Sequence, residues 1–236
     1  MDNDGRIIDI VAEVLEQSAD HISADDRFID DLGATSIDIV TLAWRIEEVF
    51  GIGEIDEETL NSLETVADLG DLVQRRTIEL EETVDIVFAS DHAGVNMKAD
   101  LVDWVDDGAR KVRDLGPADT NSVDYPDFAA RVARQVAAGR ADRGILICGS
   151  GIGMSIAANK VDGVRAAVVN NPVQARLARR HNNANVLCLG ERLTGQDMAR
   201  ECVDAFLNTS FDPGDDGRHH RRVCRIHELE KPSSSD

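Results

Sequence analysis

Apolar positions near the start of the chain recur at helical spacing. Ile7, Ile10, Val11 and Val14 share one stripe, with Asp9, Glu13 and Glu16 opposite. A loop rich in Asp and Gly follows, from about Ser18 to Thr35. A second helical stripe then carries Ile39, Leu42, Ala43, Ile46 and Phe50, and Gly51 and Gly53 break it. A last short helix is predicted near Val66–Val73. No strand-like alternation occurs before residue 80, so residues 1–76 are expected to form a small four-helix bundle with one long first loop. Residues 77–83 (TIELEET) are predicted to be a short charged linker, reaching little more than about 20 Å when extended.

From residue 84 the pattern changes class. Asp85–Ser90 and Gly144–Cys148 are short apolar runs of the kind buried in parallel sheets, and shorter strands are predicted at Lys111–Leu115, Val164–Val169 and Asn185–Leu189. Between them lie helical stripes: Met97, Leu101, Trp104 and Val105; Phe128, Val132 and Val136; then Pro172–Arg180 and Gly195–Leu207. Strands alternating with helices imply βαβ units. Residues 84–230 are therefore expected to form a Rossmann-like α/β/α sandwich with a mostly parallel five-stranded sheet, followed by a frayed tail at 231–236. Such sheets bind ligands beyond the carboxyl ends of their strands, where Asp91, His92, Cys148 and Ser150 are predicted to sit.

Charge sharpens the division. The 236-residue chain carries a formal −20, and residues 1–76 hold 20 acids against five arginines and no lysine, a net of −15. Residues 77–236 hold the remaining 25 acids and 20 bases, a net of −5. An acidic module repels a phosphate backbone, so no nucleic-acid partner is expected. A basic protein surface is its natural complement, and a merely solvated acidic face is the plainer alternative. No apolar run approaches the roughly 18 residues a membrane span needs. The start of the chain shows no export signal, so a cytoplasmic protein without membrane contact is expected. Cys148, Cys188, Cys202 and Cys224 form no CxxC pair, which disfavours a zinc site or a disulfide framework.

Two segments carry chemistry. In Asp31-Leu-Gly-Ala-Thr-Ser-Ile-Asp38, Thr35 and Asp38 have the spacing of a capping box, which places Ser36 first in the helix with its hydroxyl outward. Helix dipole and free amides there suit an attached phosphate group; spacing alone equally allows Ser36 to be part of a cap. In Cys148-Gly-Ser-Gly-Ile-Gly-Met-Ser155, a Gly-rich turn joins a strand to a helix. The dinucleotide fingerprint fails at Met154 and no Gly-Lys-Ser/Thr follows, so no nucleotide is expected and the turn could cup an oxyanion instead. Cys148 at its lip is open to two readings, a reactive thiol or a buried structural cysteine; the latter suits Cys188 and Cys202.

Residues 4 to about 76 resemble an acyl carrier protein, with DLGATSIDIV in place of that family's D-L-G-x-D-S-L-type segment and EEVFGI after the second helix. The resemblance implies a covalent 4′-phosphopantetheine arm on Ser36, loaded by a phosphopantetheinyl transferase, and a basic carrier-recognising enzyme as partner. Residues from about Val84 to Ile226 resemble ribose-5-phosphate isomerase of type B, within the group that includes galactose-6-phosphate isomerase subunits. SDHAG, SVDYPDFA, ADRGILICGSGIGMSIAANK, RHNNANVL and GRHHRR stand in family order. This similarity implies that Cys148 moves a proton between C1 and C2 of a sugar phosphate, with Ser150 and the loop of Gly149, Gly151 and Gly153 holding the enediolate oxygen. It further implies that His181 opens the furanose ring and that Asp91 and Tyr125 position the sugar. Asn182 would contact substrate too, and His92, Arg192, Arg218 and Arg222 would bind the phosphate. A homodimer or dimer of dimers, with the site shared across the dimer, and no metal are implied as well.

The leading expectation is thus an aldose–ketose isomerase of the ribose 5-phosphate/ribulose 5-phosphate type, acting through an enediolate and fused to a carrier. The alternatives are isomerisation of a polyol or hydroxyacyl group tethered to Ser36, or an inactive isomerase-fold dimer that scaffolds the carrier.

Overall fold

In a computed structural model of the chain, residues 3–52, 55–81 and 83–230 are described. Gly53 and the tail at 231–236 lie outside them. The chain divides into two compact units at Glu82/Thr83.

The first unit is helical: α1 (Asn3–Val14), α2 (Ser36–Phe50), α3 (Glu57–Asn61) and α4 (Val66–Glu81), with a short 3-10 turn at Ala19–His21. Ile7, Ile10 and Val11 of α1 pack with Leu42, Ala43 and Ile46 of α2 and Val66, Leu69 and Val73 of α4 around a common apolar centre. The long first loop is tied down at several points. Phe28 N–H donates to Glu64 O at 3.0 Å, Val66 N–H donates to Asp26 O at 3.1 Å, and the Phe28 side chain joins the core. Helix α4 extends well past Val73, so residues 77–81 of the predicted linker are helical. The segment contains no Gly or Pro to stop propagation of the helix, and each added residue gains a backbone hydrogen bond.

The second unit is a five-stranded parallel sheet in the order β2-β1-β3-β5-β4, formed by β1 (Val84–Ser90), β2 (Val112–Asp114), β3 (Ala141–Cys148), β4 (Ala166–Val168) and β5 (Val186–Gly190). Helices α5 (Val95–Val105), α8 (Pro172–Asn182) and α9 (Gln196–Leu207) cover one face, meeting Ile86, Phe88, Ile145, Ile147, Leu187 and Leu189. Helices α6 (Tyr125–Ala137) and α7 (Ile152–Ala158) pack on the other face, and α10 (Arg218–Glu228) packs against α8. Continuous apolar runs in the inner strands explain the two-sided cover: Ile86–Ala89, Ile145–Cys148 and Val186–Leu189 are buried whichever way they point. On α5, Met97, Leu101 and Val105 face the core, but Trp104 does not follow the expected stripe and is 41% exposed. It shares helical spacing with Leu101 yet falls toward solvent, because a wide aromatic at the stripe's edge can leave the core that smaller residues fill.

Order β2-β1-β3 matters for function. The chain leaves β1 toward one side of the sheet and returns to β3 on the other, which opens a crevice at the carboxyl ends of these two strands.

Candidate active site and carrier serine

Cys148 ends β3 at that crevice and is 5% exposed. Its Sγ accepts a hydrogen bond from the Gly151 amide at 3.1 Å. Gly151 has φ +76°, and a side chain there would be strained and would press on the Leu189 carbonyl carbon at 3.0 Å. The turn therefore requires glycine to aim its amide at sulfur. Ser150 is half-buried beside it, its Oγ accepting from Ile152 N–H at 3.4 Å.

Surrounding elements converge on the same turn. The Arg192 guanidinium lies over Gly149, where a Cβ would stand 3.3 Å from Cζ, and Arg192 N–H donates to Gly149 O at 3.2 Å. The Tyr125 ring rests on Gly153, where a Cβ would come within 2.8 Å of ring carbons. Asp91 is 8% exposed, and its carboxylate accepts from Ala93 N–H at 2.9 Å and Gly94 N–H at 3.1 Å, shaping the turn after β1. His92 Nδ1 accepts from Val123 N–H at 3.4 Å, so Nε2 is the ring nitrogen left to donate. Two further glycines pack tightly here, Gly94 of the SDHAG segment and Gly190, which lies in no motif. A Cβ on Gly94 would stand 2.8 Å from Ile147 O, and one on Gly190 would stand 2.8 Å from the Ser150 backbone.

The four cysteines are free thiols. Burial, reinforced by the neighbouring Cys148, pushes the Cys188 thiol far up, and burial raises Cys202 to about 11. Neither ionises at neutral pH, consistent with packing roles. Among the described residues no group of three or more His, Cys, Asp or Glu side chains is placed to hold a metal ion.

A second cluster forms elsewhere on the same unit. His181 sits in the last turn of α8, and its ring meets that of His219 on α10, with centroids 4.4 Å apart and planes tilted by 36°. Arg218 Nε donates to His219 Nε2 at 3.3 Å, and Arg180 pairs with Asp212 at 3.2 Å. Desolvation holds His181 below its ordinary value, and the nearby His219, Arg180 and Arg218 add to this against the opposing Asp212. Asn182 ends α8 and is exposed; Arg218 and the exposed Arg222 lie one turn apart on α10. Sequence reading singled out His181 but not His219, whose only signal was its place in the run of basic residues.

These clusters are at opposite ends of the strands. Helix α8 starts beyond the carboxyl end of β4 and runs back toward the start of β5. Asn185, four residues after His181, accepts at its carbonyl from Gly144 N–H at 2.9 Å. Gly144 lies four residues before Cys148, about 13 Å along the strand. Within one chain, His181, Asn182, Arg218 and Arg222 therefore do not meet Cys148.

The ribose/galactose isomerase family model matches residues 86–226. The chain belongs to this family. Ribose-5-phosphate isomerase B of Escherichia coli is 42% identical over 146 residues, which cover 62% of this chain and 96% of that protein. Solved structures agree: ribose-5-phosphate isomerase B of Clostridium thermocellum is 49% identical with a TM-score of 0.60, covering 62% of this chain and 97% of that one. The type B enzyme of Trypanosoma brucei is 46% identical with a TM-score of 0.58, covering 62% and 99%. The second unit is accordingly an isomerase domain of the ribose-5-phosphate isomerase B type.

Residues 5–73 match the family model for a phosphopantetheine attachment site. In this isomerase the attachment candidate, Ser36, is the exposed first residue of α2. Thr35 caps the helix: its Oγ1 accepts from Asp38 N–H at 3.3 Å, and Thr35 N–H donates to Asp38 at 2.8 Å. The backbone bond from Thr35, then that from its hydroxyl, holds the Asp38 carboxyl below its usual range. An outward hydroxyl on a fixed helix start fits a phosphodiester-linked arm. Among the described residues no helix is long and apolar enough to cross a membrane.

Proposed function

We propose that the second unit interconverts ribose 5-phosphate and ribulose 5-phosphate, and that the first is an acyl-carrier-type helical bundle bearing 4′-phosphopantetheine on Ser36. The observation that carries the enzymatic half is Cys148 held at the mouth of a glycine turn by the Gly151 amide. An aldose–ketose isomerisation needs a base beside the carbon acid, donors for the enediolate oxygen and a distant anchor for the phosphate.

Cys148 supplies the base. Its sulfur takes the C2 proton of the open-chain aldose and the electron pair moves to the C1 oxygen. Proton return to C1 and transfer of the O2 proton complete the ketose. Ser150 and amides of the Gly149–Gly153 turn oppose the developing oxyanion, Asp91 and Tyr125 fix the sugar, and His92 and Arg192 face its phosphate. A second copy of the chain supplies His181 for ring opening, with Asn182, Arg218 and Arg222 to complete the anchor. The strand length separating the two clusters in one chain supports this sharing. When bound, the arm on Ser36 supplies a thiol for acyl groups, with Thr35 and Asp38 holding the helix start that presents it.

Both halves are open to test. Purified protein should convert ribose 5-phosphate to ribulose 5-phosphate, and Cys148→Ala should not. Incubation with coenzyme A and a phosphopantetheinyl transferase should add one arm per chain in the parent and none in Ser36→Ala. Equal labelling of that variant removes the carrier assignment, and inactivity of the parent on pentose phosphates removes the isomerase assignment.

A further inference from the structure

His219 is 5% exposed in a region built around it. Its Nδ1 lies 2.9 Å from the Asp212 carbonyl, and its Nε2 accepts from Arg218 Nε at 3.3 Å. A carbonyl only accepts and a guanidinium only donates, so these two contacts call for the ring proton on Nδ1. The loop that provides the carbonyl is pinned to α8, because Asp212 N–H donates to Arg180 O at 2.9 Å. Gly214, at φ +81°, makes the turn of this loop, where a side chain would be strained and its Cβ would stand 3.2 Å from Arg218 Cγ. Against this fixed ring stands His181, with centroids 4.4 Å apart.

We infer that His219 is a positioning residue for ring opening, holding the His181 imidazole oriented so that it can accept a proton from the cyclic sugar and donate it back. This inference rests on the isomerase reading above. The groups facing His181 are His219 and Arg218 from α10, Arg180 of α8 itself and Asp212 of the connecting loop. Arg218 and Arg180 carry positive charge, which opposes protonation of His181. The His219 ring also takes water from one face of His181. Loss of that ring should let His181 turn and protonate more readily, slowing proton abstraction from the sugar hydroxyl.

Ribulose 5-phosphate has no ring to open, because its O5 is esterified. Exchange of its C1 protons with D2O therefore reads enediol chemistry alone. Net turnover in either direction includes the ring step, since the overall equilibrium links forward and reverse rates. His219→Gln keeps an acceptor for Arg218 and loses the ring, whereas His219→Phe keeps the ring and loses both hydrogen bonds.

In the full-length protein, His219→Gln should lower turnover of ribose 5-phosphate by about tenfold or more, with C1 exchange within about threefold of the parent. His219→Phe should recover much of the turnover. By NMR, the His181 titration midpoint should rise in His219→Gln and stay low in His219→Phe. Parallel loss of turnover and exchange, no advantage of Phe over Gln, or an unmoved His181 midpoint in His219→Gln would each overturn the inference. Should the parent act on neither sugar, the isomerase reading falls by itself. The NMR comparison then decides His219: a raised midpoint upholds its hold on His181, and an unmoved one ends it.

Discussion

Cys148 and its neighbours differ by placement rather than by residue type. Cys188 lies in β5 and Cys202 on the buried face of α9, where burial keeps both as thiols. Cys148 stands one strand-end higher with an amide donor on its sulfur. Replacing it by Ala is expected to lower kcat by about 10²–10⁴-fold with little change in KM, as steady-state kinetics will read, because it removes proton transfer and leaves the phosphate anchors. Retention of most activity would relocate the base. Gly153 gives a second test. A methyl group there collides with the Tyr125 ring at 2.8 Å, so Gly153→Ala should raise KM for the sugar while the melting temperature stays close to that of the parent. Adding Tyr125→Ala should leave KM no worse, because the methyl group has already pushed the Tyr125 ring off its place beside the sugar. At this scale the sequence marked out Cys148, Asp91 and His181 as candidates by residue type and motif. Gly190 carried no such mark, since close approach of backbones is a property of the folded pair and leaves no trace in local spacing; Gly94 stands in SDHAG, but its packing against Ile147 shows only in the fold.

Among elements, helix starts were read best. The T-x-x-D spacing at Thr35–Asp38 gives the capping box that fixes α2, and the same device recurs unpredicted at Thr65 and Asp68, where Asp68 N–H donates to Thr65 Oγ1 at 3.1 Å. Helix ends were read less well. Helix α4 passes its expected stop, and five-residue α3 is too short to show periodicity. Thr35→Ala should destabilise the first unit by about 1 kcal/mol in thermal melts, the usual cost of losing a cap. The caps also set a pH dependence. Asp38, Asp56 and Asp68 are all held below their ordinary 3.8, first by backbone bonds from Thr35, Thr59 and Thr65. A depressed folded value means their stabilisation is complete above 3.8 and is lost as pH falls through the folded values. Acidification also relieves repulsion in a module of net −15, so the comparison must be between variants. The first unit's melting temperature should fall less steeply below pH 4 in Asp38→Asn/Asp68→Asn than in the parent, and equal slopes would remove the caps as its cause.

At the scale of the molecule, parallel strands, helices on both faces and an acidic helical module were all visible in periodicity and charge. The separation of Cys148 from His181 was not. Only 33 positions part them in sequence, and a reader of motifs places them together; the return of α8 along the sheet puts them at opposite strand ends. A site using both must draw them from two copies, and this gives a test that needs no structure of the assembly. In a symmetric dimer whose two sites each take Cys148 from one copy and His181 from the other, Cys148→Ala chains and His181→Ala chains are each defective at both sites. A mixed dimer instead gathers both substitutions into one site and leaves its second site intact. Random re-pairing makes half of the dimers mixed, each with one good site of two, so about a quarter of the parent activity should return. Dissociating and re-forming an equal mixture, then assaying ribose 5-phosphate turnover, measures this directly. Recovery near that fraction requires sharing between copies. If turnover stays at the mean of the two separate variants although mass spectrometry finds mixed dimers, each chain must complete its own site. His181 would then lie outside the catalytic centre, and the ring-opening proton would have to come from the Cys148 end of the sheet, where His92 is the histidine at hand.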